Sequence, residues 1–388
     1  MSPKKDLQPG RWRGVIEMQQ RELPFTFDVQ KAGEQFTVTI NNADEKLTLD
    51  EVTVENDSVR MVLHIFDAEL RAQISGDQLT GTFVKNYAPN ASLPFRATFQ
   101  QDYRFAPAGT EAATDFSGTY QLMFSYDTVS YPAVGIFTQT GNQVTGTFLT
   151  PTGDYRYLEG NVVGDQLQLS AFDGNHAFIF EARLQGDTLA GDFFSGGSGH
   201  EQFKGVKNSQ AALPDAEKLT YLKPGFDQIT FRFPALDGSI ISPQDDRFKG
   251  KVLILQIFGS WCPNCMDETR FLADWYRKNR ARGVEVLGLA YERKDDFAYA
   301  SERVKKMKEK LGADYEFVIA GTNDKKKAAE TLPMLNHVLA FPTTIFIGRD
   351  GKVKHIHTGF SGPGTGIYYE QFVQRFNELV AEALQEGV

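Results

Sequence analysis

The sequence predicts a multidomain chain: an N-terminal all-β tandem repeat, built as antiparallel up-and-down barrels or sandwiches, followed by an α/β domain. Three features carry this reading. The first 207 residues show short apolar-alternating runs broken by Gly, Asn and Asp, with no amphipathic helix of useful length. That stretch repeats itself. Beyond residue 226, continuous apolar runs alternate with segments of helical period, the pattern of a sheet covered by helices on both faces.

The strand assignments follow from alternation and turn chemistry. Phe25 to Gln30 and Gln35 to Ile40 flank an Ala-Gly turn, while Gly135 to Gln139 and Gln143 to Leu149 flank Thr-Gly-Asn, so each pair reads as a hairpin. The repeat rests on three correspondences. Gly10-Arg-Trp-Arg-Gly14 parallels Asp115-Phe-Ser-Gly118, and Ala32-Gly-Glu-Gln-Phe-Thr37 parallels Thr140-Gly-Asn-Gln-Val-Thr145. Gly76-Asp-Gln-Leu-Thr-Gly-Thr-Phe83 parallels Gly186-Asp-Thr-Leu-Ala-Gly-Asp-Phe193, and the offsets of 104, 108 and 110 keep the two copies in order. Repeat 1 spans residues 1–107 and repeat 2 spans 108–207. Each has room for seven or eight strands. Trp12, Phe116, Tyr120 and Phe193 read as core aromatics rather than a ligand platform.

Length and composition agree with this division. A chain of 388 residues exceeds one ordinary core, and 41% apolar with 23% charged residues is a globular balance. The net charge of -9 disfavours nonspecific contact with nucleic acid or anionic lipid. No run of 18 apolar residues is present, so no transmembrane segment is predicted, and the opening MSPKKDLQPG does not resemble a secretory leader. Two readings of that opening stand: a chain that is not exported, or a start standing where a leader was removed. The two cysteines lie three residues apart, which points to chemistry rather than a disulfide-stapled scaffold.

Residues 208–225 read as a linker and residues 226–388 as the α/β domain. Lys251 to Phe258 and Val284 to Ala290 read as buried parallel strands, with Met266 to Asn279 and Asp296 to Leu311 as helices between and after them. Tyr315 to Ala320 is a further strand. Thr343 to Ile347 and Val353 to Thr358 form a hairpin around Arg349-Asp-Gly351, and Tyr368 to Leu384 closes the domain as a helix.

Gly259-Ser-Trp-Cys-Pro-Asn-Cys265 joins the first buried strand to the first helix. Cys262 therefore falls at a helix N-terminus, where unpaired N–H groups and the helix dipole favour a thiolate. It is the expected nucleophile. Cys265, one turn further in, is placed to resolve a mixed disulfide. The pair is itself the redox centre, so no separate cofactor is expected.

These residues resemble the TlpA/ResA-like branch of thioredoxin-fold disulfide oxidoreductases, a redoxin (AhpC/TSA-like) type, over about residues 224–388. The likeness rests on Trp261-Cys-Pro-Asn-Cys265, Glu268, Phe341-Pro-Thr343, Asp350-Gly351 and His357-Thr-Gly359, with Ala235-Leu-Asp-Gly238 and Phe248-Lys-Gly-Lys251 ahead of them. The resemblance implies a thioredoxin-like fold and a cis peptide before Pro342, with the Phe341 and Thr343 backbone binding an extended substrate beside the cysteines. It also implies protein-disulfide substrates, an upstream dithiol donor and a periplasmic or cell-envelope setting, a cytoplasmic one being the alternative. Glu268, one turn beyond Cys265, is either a buried proton shuttle for that cysteine or a solvated surface residue. Where thioredoxins carry a buried Asp before the motif, this chain has Gln256, which cannot accept a proton. Trp261, Pro263 and Asn264 are expected to support the pair.

The same residues bear on other chemistries. Zinc needs more ligands than one CxxC, and no second CxxC or Hx3H partner is present. His355 and His357, two apart on a strand, would suit copper only if they met the cysteines. A peroxidase would need only one cysteine. Gly362-Pro-Gly-Thr-Gly366 lacks the context of a nucleotide fingerprint, and Lys305 to Lys310 and Lys325 to Lys327 read as solvated helix faces. A different class remains in view: a binding protein that grips an unidentified partner through the β repeats, with the redox domain subordinate.

Overall fold

A computed structural model describes residues 6–385. The chain divides into two compact units, one of residues 1–148 and 155–212, the other of residues 149–154 and 213–388.

Residues 10–207 are all-β, as expected, and form two nine-stranded antiparallel sheets. In the first, strands from Gly10–Met18 to Leu93–Phe99 run as a meander whose first and last strands pair, Trp12 facing Phe99. Its two outer strands in the sheet order are Glu45–Leu49 and Val52–Glu55. The second sheet curls further, because Val129–Thr140 also pairs with Gln143–Thr150 and so completes a ring. Nine strands exceed the seven or eight anticipated. Pieces such as Val52–Glu55 are too short to show alternation in the sequence.

The repeated Gly-Asp-x-Leu-x-Gly motif has a physical reason. At Gly81 a Cβ would lie 1.8 Å from the Arg71 carbonyl oxygen, and at Gly191 2.2 Å from that of Glu181, so both copies need glycine where adjacent strands coil tightly. The second barrel is filled by its own aromatics: Phe124, Phe148, Phe180, Phe193 and Phe203 are all buried, and Phe180 stacks on Phe193 at 4.4 Å. Trp12, Phe116 and Tyr120 are likewise fully buried. A buried polar seam joins the copies, with Arg104 donating to Asn41 O at 2.6 Å and to Ser170 Oγ at 2.9 Å, and pairing with Glu159.

In the second unit the elements are β1 (Val252–Phe258), α1 (Pro263–Asn279), β2 (Val284–Glu292), α2 (Phe297–Leu311), β3 (Glu316–Thr322), α3 (Lys325–Thr331), β4 (Thr343–Ile347), β5 (Val353–Thr358) and α4 (Ile367–Gln385). The sheet order is β3-β2-β1-β4-β5; the first three strands are parallel, and β4 and β5 are antiparallel to their neighbours. Every residue of β1 is buried, which explains its unbroken apolar run around the single amide Gln256. Asp296 caps α2 by accepting from the Tyr299 N–H, and Gly312 ends it in the left-handed conformation.

Residues 213–225, read from the sequence as linker, group with this unit and are strapped to it. Thr358 N donates to Ala216 O at 3.0 Å, Tyr221 N to Asn336 Oδ1 at 2.9 Å, and Lys223 N to Met334 O at 2.8 Å. The polar composition that suggested a tether reflects backbone pairing at the rim instead. Among the described residues, no helix is long and apolar enough to cross a membrane.

Candidate active site

The site forms where β1 ends and α1 begins. Cys262 is the N-cap of α1, Pro263 occupies the first turn, where its missing N–H is harmless, and the Cys262 sulfur accepts from the Cys265 N–H at 3.2 Å. Cys262 retains 6% exposure and Cys265 none, so only the first thiol is open to a partner. Burial, then the neighbouring Cys262, pushes the Cys265 thiol well above its ordinary value; Glu268 adds to the effect. Both cysteines are free thiols.

The Phe341–Pro342 peptide is cis, and the Phe341 carbonyl accepts from the Cys262 thiol at 3.4 Å. Thr343 lies inside the sheet at the start of β4, opposite Ile257 and Thr358, with its hydroxyl donating to Ala340 O at 2.9 Å. It braces the turn. Phe341 is the residue that meets the cysteine.

Glu268 is wholly buried beneath the pair, which removes the reading of a solvated surface residue. Its carboxylate accepts from Thr344 Oγ1 at 2.7 Å and from Gln256 Nε2 at 2.9 Å. Gln256 in turn accepts from Tyr315 OH at 3.1 Å. The amide therefore orients the acid that stands beside it. Burial raises Glu268 to about 7, against the opposing effect of its two donors, which leaves it ready to exchange a proton near neutrality.

A second buried acid stands behind the motif. Glu292, the last residue of β2, accepts from both the Ser260 N–H and the Ser260 hydroxyl at 2.8 Å, and burial raises it to about 7. Trp261 is held at the same wall. Its indole N–H donates to Tyr291 O at 2.8 Å, its ring meets Phe341 edge-on at 5.7 Å, and Arg293 lies over it at 4.9 Å. Only a strand-end acid marked Glu292 in the sequence, and such residues are ordinarily solvated.

The histidines lead elsewhere. His355 pairs with Glu217 and Glu382, which also bind Arg375, while His357 packs against Phe372 at 5.2 Å and is lowered by burial to about 4. Gly362 to Gly366 forms a short turn before α4.

Sheet order, a dithiol at the start of α1 and the cis proline facing it together define a thioredoxin-like domain. A family model described as Redoxin matches residues 211–370, starting and ending before the 224–388 span of the resemblance. The chain is similar to thiol-disulfide oxidoreductase ResA of Geobacillus thermodenitrificans, 29% identical over 112 residues, covering 29% of this chain and 57% of that protein. It is 30% identical over 118 residues to ResA of Bacillus thuringiensis subsp. konkukian, covering 30% and 60%. The chain thus spans less than two thirds of the length of these relatives. Among solved structures, a putative thiol:disulfide interchange protein DsbE from Chlorobium tepidum shares 21% identity over 41% of this chain and 99% of that one, with a TM-score of 0.32.

Proposed function

We propose that the second unit exchanges thiols with protein disulfides and acts as a reductase. One observation carries the reading: a slightly exposed Cys262 at a helix N-terminus, facing the carbonyl before a cis proline, backed by a buried Cys265 above a buried Glu268. The Cys262 thiolate attacks one sulfur of the substrate disulfide, and the other sulfur leaves as a thiolate and takes up a proton. Cys265 then gives its proton to Glu268, by way of a bridging water, and attacks the Cys262 sulfur of the mixed disulfide. The second substrate thiol departs, and two electrons have passed from the chain to the substrate. An external dithiol must reduce the resulting Cys262–Cys265 disulfide. The family resemblance supports a setting in the periplasm or cell envelope.

The test is the equilibrium reduction potential of the pair in a defined thiol buffer, with Cys262→Ser as control. A value near roughly -270 mV supports a reductase, whereas one above about -180 mV makes the protein an oxidant or isomerase. A reversible couple that never forms sinks the exchange reading.

A further inference from the structure

The segment Leu149–Asp154 belongs to the same compact unit as the redox pair, although 110 residues separate Asp154 from Asn264. It is a tight hairpin tip. Leu149 pairs with Asp154 and Thr150 with Gly153, and Thr150 Oγ1 donates to Gly153 O at 2.7 Å. Asp154 is 7% exposed, so its polar groups need partners inside the protein. Two of them lie at the active site. Its backbone carbonyl accepts from Asn264 Nδ2 at 2.9 Å, and its carboxylate accepts from the Gly362 N–H at 2.7 Å.

The same tip touches the proline limb. Gly359 donates its N–H to Pro342 O at 3.0 Å, and a Cβ on Gly359 would stand 3.1 Å from the Pro151 carbonyl oxygen, so the absent side chain admits the tip. One short segment therefore holds the residue between the cysteines and the loop that supports the cis proline.

We propose that Asp154 is a positioning residue of the redox pair, which fixes Asn264 and the Gly359-to-Gly362 loop in the geometry of the dithiol form. Closing the disulfide requires the two sulfurs to approach to about 2.05 Å, and the intervening Pro263-Asn264 backbone must adjust to allow it. Contacts made in the dithiol geometry oppose that adjustment. Asp154 thereby biases the pair toward dithiol and makes it a milder reductant than the motif alone would be. The carboxylate bond to a backbone N–H is charge-assisted, which suits it to this role.

The inference rests on the thiol-exchange reading. The full chain and its Asn264→Ala, Asp154→Ala, Asp154→Asn and double-alanine variants are equilibrated in glutathione buffers, quenched by alkylation and quantified by mass. Asn264→Ala and Asp154→Ala should each shift the equilibrium three- to tenfold toward disulfide, ~15–30 mV more negative for a two-electron couple. Asp154→Ala removes the Gly362 bond but keeps the backbone carbonyl that holds Asn264, so the double variant should shift further than either single. Asp154→Asn keeps an acceptor for Gly362 and should stay within twofold of the parent. An unchanged equilibrium in folded Asn264→Ala, a shift toward dithiol in either single variant, or a double variant that shifts no further than Asn264→Ala would overturn the proposal. If Asp154→Ala does not fold, Asn264→Ala decides alone. Absence of any couple in the parent defeats the exchange reading, whereas an intact couple that no variant moves defeats only the role of Asp154.

Discussion

The floor beneath Cys265 and the wall behind Trp261 each hold a buried glutamate raised to about 7, yet their surroundings differ. Glu292 spends both carboxylate oxygens on one residue, Ser260, and so pins the approach to the cysteines. Glu268 accepts from two separate side chains, Gln256 and Thr344, and lies under the thiol whose value it helps raise. Equal acidity does not mean equal partners; under the proposed exchange Glu268 is the acid placed to take the Cys265 proton, whereas Glu292 holds a backbone.

The comparison is sharpened first at the sulfurs. Cys265→Ser should accumulate a mixed disulfide that Cys262→Ser cannot form, with multiple turnover lost in both, as measured by trapping a disulfide-bearing peptide and by mass. Next, Glu268→Gln should slow resolution about 10²-fold, the low end for a general base, and erase the rise in rate as pH passes about 7. Glu292→Gln should keep that inflection. If the rate profile instead flattened in Glu292→Gln and survived in Glu268→Gln, the two roles would be exchanged.

Stability provides the next test. Both carboxyls bind their proton more tightly folded, near 7, than at their ordinary 4.5, so between those values the native state holds more protons than the unfolded state. Stability must therefore fall as pH rises from about 4.5 to 7 and level off above, by up to about 3 kcal/mol per acid. Urea unfolding at pH 5 and pH 8 checks this, and Gln at either position should reduce the drop. Glu292→Ala, which strands the buried Ser260 N–H, should cost about 1–3 kcal/mol at either pH. The smallest effect belongs to Tyr315→Phe, which removes one donor from Gln256 and should cost about 1 kcal/mol with resolution slowed only a few-fold.

How much was legible depended on the range of each interaction. Cys262 and Cys265 stand in one local motif after a buried strand, and the β-strands of both units announce themselves by alternation or continuous burial. Glu268 was visible as a position but not as a buried acid, because burial of that helix face depends on Thr344, 76 residues away. Glu292 had no such marker, since its partner Ser260 lies 32 residues upstream on another element. Residues 213–225 looked like a tether because backbone pairing leaves no trace in composition.

By itself the sequence determined the all-β repeat, the α/β unit that follows, the paired cysteines at the start of a helix and the proline that faces them. These depend on periodicity, turn chemistry and short spacings, which act between neighbours in the chain. Tertiary structure alone decided which carboxylates are buried, which donors their oxygens accept from, and that the turn ending at Asp154 reaches Asn264. Those are matters of desolvation and hydrogen-bond geometry between residues far apart in the chain, and only the folded protein brings them together.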